Sequence, residues 1–286
     1  MIDTLFLSGG GVKGFIYTGI YKFLEEKDLL KNIKNIISCS IGSFFAFCFS
    51  VDLNLCLIKK ILININIYDI DDIDFNNFTE YGFFDNTIFK IAIKHILLYK
   101  YNTDKITLKE LYDKTKINHR IKIYNYTKLK TEYYDHISNP DMDLALLITA
   151  ATSIPLINKY IVYNNQYLLD GGITGSYPFI NDEKYKNYIG IYIYVEDTDN
   201  TNNDENNFID FIKFLFYKRD SQIEKQYLNS DKRILKLGLN IPSTCFKLSE
   251  SDVDNLINTG YINLKEYYNN NKDIFENNLL TKEPSS

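Results

Sequence analysis

The chain has 286 residues, 45% hydrophobic and 24% charged, which excludes a largely disordered or fibrous protein and suffices for a core without disulfide or metal staples. With 32 Lys+Arg against 37 Asp+Glu, the formal charge of −5 argues against a dedicated nucleic-acid binder, which needs a basic surplus to neutralise phosphates. The four cysteines (Cys39, Cys48, Cys56, Cys245) form no C-x-x-C pair and no metal-like spacing with the three histidines, so a reducing compartment, cytoplasmic or host-cytosolic, is expected.

Met1-Ile2-Asp3-Thr4 lacks a basic n-region, so no signal peptide is expected. Thr4 to Leu7 predicts a short strand that runs into three glycines. Ile16, Ile20, Phe23 and Leu24 recur at helical spacing over residues 15–26. Residues 33–39 predict a second strand and 42–51 a buried helix; the uncharged run 36–51 is too short to cross a bilayer. Further strands are expected at 121–126 and 188–195, and residues 160–169 predict a hairpin turning at Asn164-Asn165. Residues 68–77 and 196–207 read as polar loops, the second being the only candidate internal boundary. The expectation is one domain over 1–280 with a frayed tail over 281–286. Short apolar runs alternating with amphipathic stretches predict an α/β sheet with helices on its faces.

Gly9-Gly10-Gly11-Val12-Lys13-Gly14 satisfies G-x-G-x-x-G after a strand and before a helix, so a dinucleotide site is one reading. That reading lacks the acidic residue required at the end of the second strand, which closes instead on Ile37-Ser38-Cys39-Ser40. The P-loop reading lacks Lys-Ser/Thr after Gly14. Adjacent glycines at a helix start also let backbone N–H groups converge on one point, as an oxyanion requires. Lys13 adds charge near that loop or is a solvated side chain.

Ser38-Cys39-Ser40-Ile41-Gly42 stands at a strand-to-helix junction, where G-x-S-x-G hydrolases place the nucleophile. Ser40 is the candidate, and Cys39 is expected to point into the core. A triad in the order Ser, Asp/Glu, His fails, because His95, His119 and His136 all precede the best acid, Asp170. His95 falls in an amphipathic stretch, and His119 and His136 at turns, all three as surface or packing residues. Asp170, at a strand end before Gly171-Gly172, can itself serve as general base when held against the serine hydroxyl. The run Asp69, Asp71, Asp72, Asp74 is no EF-hand loop: counted from Asp72, Asn77 takes the glycine position and Phe83 the position of the bidentate Glu.

Taken together, these motifs resemble the patatin-like phospholipases. Leu7-Ser8-Gly9-Gly10-Gly11-Val12-Lys13-Gly14 resembles the family's oxyanion loop, Ser40 its nucleophile, and Asp170 of Asp170-Gly171-Gly172 its dyad aspartate. Asn139-Pro140-Asp141-Met142, Ile106 to Leu111 and Ala150-Ala151-Thr152-Ser153-Ile154-Pro155 also look like family segments. The resemblance runs over residues 5–178 and, more weakly, 247–261. It implies a three-layer α/β/α sandwich with a mostly parallel central sheet, and hydrolysis of phospholipid or lysophospholipid acyl esters by a Ser–Asp dyad. Gly9, Gly10 and Gly11, with Lys13 assisting, would form the oxyanion hole. No cofactor or metal is required. Ser38 replaces the usual elbow glycine, and Ser176 stands where many relatives carry Asn.

An acyltransferase using the same acyl-enzyme, a catalytically silent lipid-binding module and a nucleotide-dependent oxidoreductase are the competing readings. Membrane contact would be peripheral. The apolar stretch 208–217 and the aromatic cluster 81–84 cap the pocket, dip into a bilayer interface or pack in the core. With a net charge of −5, attachment to anionic lipid must rest on a local aromatic or basic surface.

Overall fold

A computed structural model describes residues 2–64, 82–84, 87–195, 228, 230–241 and 248–276. In chain order the elements are β1 (Thr4–Leu7), α1 (Ile16–Glu26), β2 (Asn35–Cys39), α2 (Ile41–Ser50), α3 (Leu55–Asn64), β3 (Gly82–Phe84), α4 (Thr87–Tyr101), α5 (Leu108–Thr115) and β4 (Asn118–Asn125). There follow β5 (Lys130–Tyr134), α6 (Leu144–Ala151), β6 (Leu156–Asn158), β7 (Ile161–Tyr163), β8 (Gln166–Asp170), β9 (Tyr188–Val195), β10 (Ile234–Leu239), α7 (Glu250–Asn270) and α8 (Lys272–Phe275). The expected loops 68–77 and 196–207, the stretch 208–217, the tail 281–286 and Cys245 lie outside the described residues.

The sheet is mixed and mostly parallel, with helices on both sides, which is the expected α/β class. Strands β10, β9, β1, β2 and β4 run parallel in that order. Both faces of β1 and β2 are covered, which is why these strands read as short unbroken apolar runs. Leu5, Leu7 and Ile36 enter the large helical core, while Phe6 and Ile37 enter a smaller core with Tyr177, Tyr185, Tyr188 and Ile234. Helix α2 is apolar on every side and wholly buried apart from its last residue. Each buried Phe of this helix contributes about 1.5–3 kcal/mol of transfer free energy. Helix α1 packs on α7 backbone to backbone: a Cβ on Gly19 would come within 1.8 Å of the Ile257 carbonyl oxygen, and one on Gly260 within 2.1 Å of that of Ile16.

The register of β4 determines the site. One edge pairs with β5 over residues 121–125. The other edge pairs with β2 over 118–122 and then with β8, antiparallel, over 123–125. Cys39 lies opposite Lys122, and Asp170 opposite Ile123. Strands β2 and β8 therefore meet end to end, and Ser40 arrives beside Asp170. The β7–β8 turn falls at Asn164 and Asn165, as predicted, with φ of 49° and 57°, the signature of a two-residue primed turn.

Candidate active site

Ser40 leaves β2 with φ 52° and ψ −132° and caps α2. A serine in that region stores about 1–3 kcal/mol of strain and persists only where its surroundings hold it. They do so closely here: a Cβ on Gly42 would sit 2.7 Å from the carbonyl oxygens of Leu7 and Ser8, so only glycine lets α2 begin against the end of β1. Ser38 does not take over the strain. It is buried, its φ is not positive, and its hydroxyl donates to Ser43 Oγ at 3.0 Å. Cys39 is buried as expected, with Sγ 3.9 Å from the Gly175 carbonyl oxygen.

Ser40 Oγ donates to Asp170 Oδ2 at 2.5 Å. The other carboxylate oxygen, Oδ1, accepts the Gly172 N–H at 2.7 Å, and the Asp170 N–H donates to the Ser153 carbonyl at 2.9 Å. Burial pushes the Asp170 carboxyl up to about 6, against the opposing pull of the Ser40 and Gly172 hydrogen bonds and the Lys122 charge. Lys122 is itself buried and donates to the carbonyls of Gly175 (2.6 Å) and Thr174 (3.3 Å). The result is a carboxylate one hydrogen bond from a strained serine, with a cation close enough to moderate its charge.

The glycine loop passes against Ser40. A Cβ on Gly9 would approach Ser40 Cβ to 3.1 Å. Ser8 anchors the loop: its hydroxyl donates to the Gly9 carbonyl (3.0 Å) and accepts the Ile193 N–H (2.9 Å), and Tyr17 OH donates to its carbonyl (2.6 Å). The Gly9 N–H donates to the Ser176 carbonyl at 2.9 Å, which corrects its place among the expected oxyanion donors. The other two expected donors are the N–H groups of Gly10 and Gly11, Gly11 with φ 55° and open space above its Cα. Because Ser176 contributes a backbone carbonyl, the Ser-for-Asn departure leaves that contact intact. Lys13 is buried rather than solvated, and burial lowers its ammonium to about 8.

The histidines stand apart. His95 is exposed on α4. His119 lies inside β4 rather than at a turn, and burial lowers it to about 4. His136, at a turn, stacks on Tyr112 with ring centroids 3.8 Å apart, and its Nδ1 bonds Asn118 Oδ1 at 2.9 Å. Among the described residues no three His, Cys, Asp or Glu side chains form a cation cluster. The acidic run 69–74 lies outside them. Two contributors were missed from sequence: Ser8, and Lys122, whose signal was a lone lysine within an apolar strand.

A family model described as "Patatin-like phospholipase" matches residues 5–181. The chain is 31% identical over 191 residues, 64% of each chain, to a protein of Invertebrate iridescent virus 6 named a probable lipid hydrolase. The match thus spans 64% of that relative's length. It is 26% identical over 281 residues, 93% of each chain, to an uncharacterised protein of Acanthamoeba polyphaga mimivirus. Among solved structures it shares a fold with VipD from Legionella pneumophila: TM-score 0.60 at 17% identity, over 94% of this chain and 67% of that one.

Proposed function

We propose that this chain, which belongs to the patatin-like phospholipase family, is a lipid acyl hydrolase that works through Ser40 and Asp170. The observation that carries the reading is the 2.5 Å hydrogen bond from Ser40 Oγ to Asp170 Oδ2, made by a serine held at φ 52°. Ser40 Oγ attacks the ester carbonyl carbon while its proton passes to Asp170 Oδ2. A carboxyl raised to about 6 suits this task, being ionised at neutral pH yet basic enough to accept a proton. The tetrahedral oxyanion takes hydrogen bonds from the Gly10 and Gly11 N–H groups, with the buried Lys13 adding positive potential behind the loop. Collapse expels the alcohol, which takes its proton from Asp170. Water then attacks the acyl-enzyme as Asp170 accepts its proton, and Asp170 returns that proton to Ser40 Oγ as the fatty acid is released.

The reacting groups stand 130 residues apart in sequence, which makes residues 1–280 one catalytic unit in this reading. Substrates are phospholipids or lysophospholipids met at a membrane surface. No helix among the described residues is long and apolar enough to cross a membrane. The test is fatty-acid release from positionally labelled phospholipids, with an alcohol acceptor present in a parallel reaction. Wild type should release acid, and Ser40→Ala should lose activity by roughly 10³-fold or more. Transfer to the alcohol in preference to water would assign an acyltransferase. No turnover of either kind would favour the silent lipid-binding module.

A further inference from the structure

Exposed apolar side chains form a row across the sheet at the end that holds Ser40. The β4–β8 register continues past Asn125 and Leu168 to Tyr126 and Tyr167, where the Tyr126 N–H donates to the Tyr167 carbonyl at 2.9 Å. Val162 of β7 pairs with Tyr167. Tyr126, Tyr167 and Val162 therefore share one face, and they are 51%, 41% and 52% exposed. Tyr160 extends the row, its ring 4.6 Å from that of Tyr167 and edge-on to it. At the turn between β4 and β5, Leu129 is 70% exposed with φ 52°. A hairpin turn favours Gly, Asn or Asp at such a φ, so a leucine there is both strained and placed in water.

The charge around the row is one-sided. Residues 126–131 carry Lys128 and Lys130 and no acid, and residues 159–167 carry Lys159 and no acid. The adjacent acid, Glu132, is largely covered, and both Lys128 and Lys130 lie 3.1 Å from it. This patch is basic on a chain of net charge −5. It lies beyond the site along the strand direction: β2 ends opposite Lys122, and β4 runs four residues further to Tyr126, ~13 Å at the rise of a strand. Tyrosines on one face of the tips, Lys130 and Glu132 on the other and an exposed leucine at the turn suit the boundary between acyl chains and anionic headgroups.

We propose that the two hairpin tips, residues 126–130 and 160–167, are the surface by which the protein docks on an anionic lipid bilayer. That the bilayer also supplies the substrate rests on the hydrolase reading; the docking itself does not.

The experiment is co-sedimentation with phosphatidylcholine vesicles and with vesicles enriched in phosphatidylserine. Wild type should bind the anionic vesicles more tightly than the neutral ones. Leu129→Asn, a residue that suits the turn, should weaken binding by about tenfold without lowering Tm. Lys128→Ala with Lys130→Ala should weaken binding to phosphatidylserine vesicles by roughly tenfold while leaving the weak binding to phosphatidylcholine unchanged. Hydrolysis of a monomeric short-chain ester should be unchanged in all these variants, while vesicle hydrolysis falls with binding. Wild type that binds neither vesicle, or variants that bind as wild type does, would overturn the docking proposal. Labelling of Ser40 by a fluorophosphonate separates the two readings. Binding without labelling removes the hydrolase and keeps the surface, and labelling without tip-dependent binding does the reverse.

Discussion

Strand β4 carries a buried titratable cluster toward each end, and the two are built differently. Toward its N-terminus, the Arg120 Nε lies 3.2 Å from Asp135 Oδ2, and the guanidinium covers the rings of Tyr133 and Tyr185. Burial pushes the Asp135 carboxyl up, but Ser138, the Ile137 N–H and the Arg120 charge outweigh it and hold the group below the usual range. His119 is kept neutral nearby. Toward the C-terminus, Asp170 meets only hydroxyl and amide donors directly, and burial prevails. The backbone differs as well. Residues 119, 120 and 135 take no left-handed conformation, whereas Ser40 does. A shifted pKa is common to both clusters and so does not single out a reactive site. Of the two clusters, only the second sets a serine hydroxyl on strained backbone against a carboxylate whose charge is under-compensated.

Replacing Asp170 tests this contrast most severely. Asp170→Asn should cut kcat by about 10²–10⁴-fold, read by fatty-acid release. The same change should raise stability at neutral pH. The folded carboxyl (about 6) lies above its ordinary 3.8, so the native state binds more protons between those values, and the group's stabilisation is present at low pH and lost as pH rises through about 6. Urea unfolding at pH 7 should therefore show Asp170→Asn gaining about 1–3 kcal/mol. An unchanged or lower stability would mean that the carboxylate is as well satisfied as Asp135.

Crowding the elbow comes next. Gly42→Ala forces a Cβ to 2.7 Å from two carbonyl oxygens. Stability should fall by about 1–3 kcal/mol in thermal denaturation, and kcat by about 10–100-fold as Ser40 shifts from Asp170. A smaller effect is expected from pH alone. Because the base must be ionised, kcat/KM should drop about tenfold per unit below pH ~6 and level off above it. The least effect on turnover should come from the opposite cluster: His119→Gln should leave kcat/KM within about twofold. It should nonetheless flatten the acid limb of stability. His119 is lowered from 6.5 to about 4, so wild type loses stability as pH falls through that window and the variant does not.

The three segments that meet at the candidate site stand out in sequence because close backbone approach restricts residue type. Gly42 cannot carry a side chain where α2 meets β1, and the strand-to-helix bend left a serine between small neighbours. Strands β1 and β9 fell at the expected residues because buried parallel strands are short apolar runs bounded by polar ones. The N-terminal half of β4 was not legible: Asn118, His119 and Arg120 look like a turn, and only pairing with β2 makes them a strand. Whether Lys13 is solvated or adds charge at the loop stayed open in sequence because nothing local reveals that its loop is buried. The engagement of the Gly9 N–H by Ser176, and the Lys122 charge beside Asp170, arise from register between distant segments, which no local pattern encodes.

The most direct test of the central claim is the position of the covalent adduct. After reaction with a fluorophosphonate and proteolysis, mass spectrometry should find the phosphonyl group on Ser40. The adduct should form more slowly in Asp170→Asn and be absent from Ser40→Ala. An adduct on any other residue, or one that persists in Ser40→Ala, would contradict the assignment of Ser40 as nucleophile.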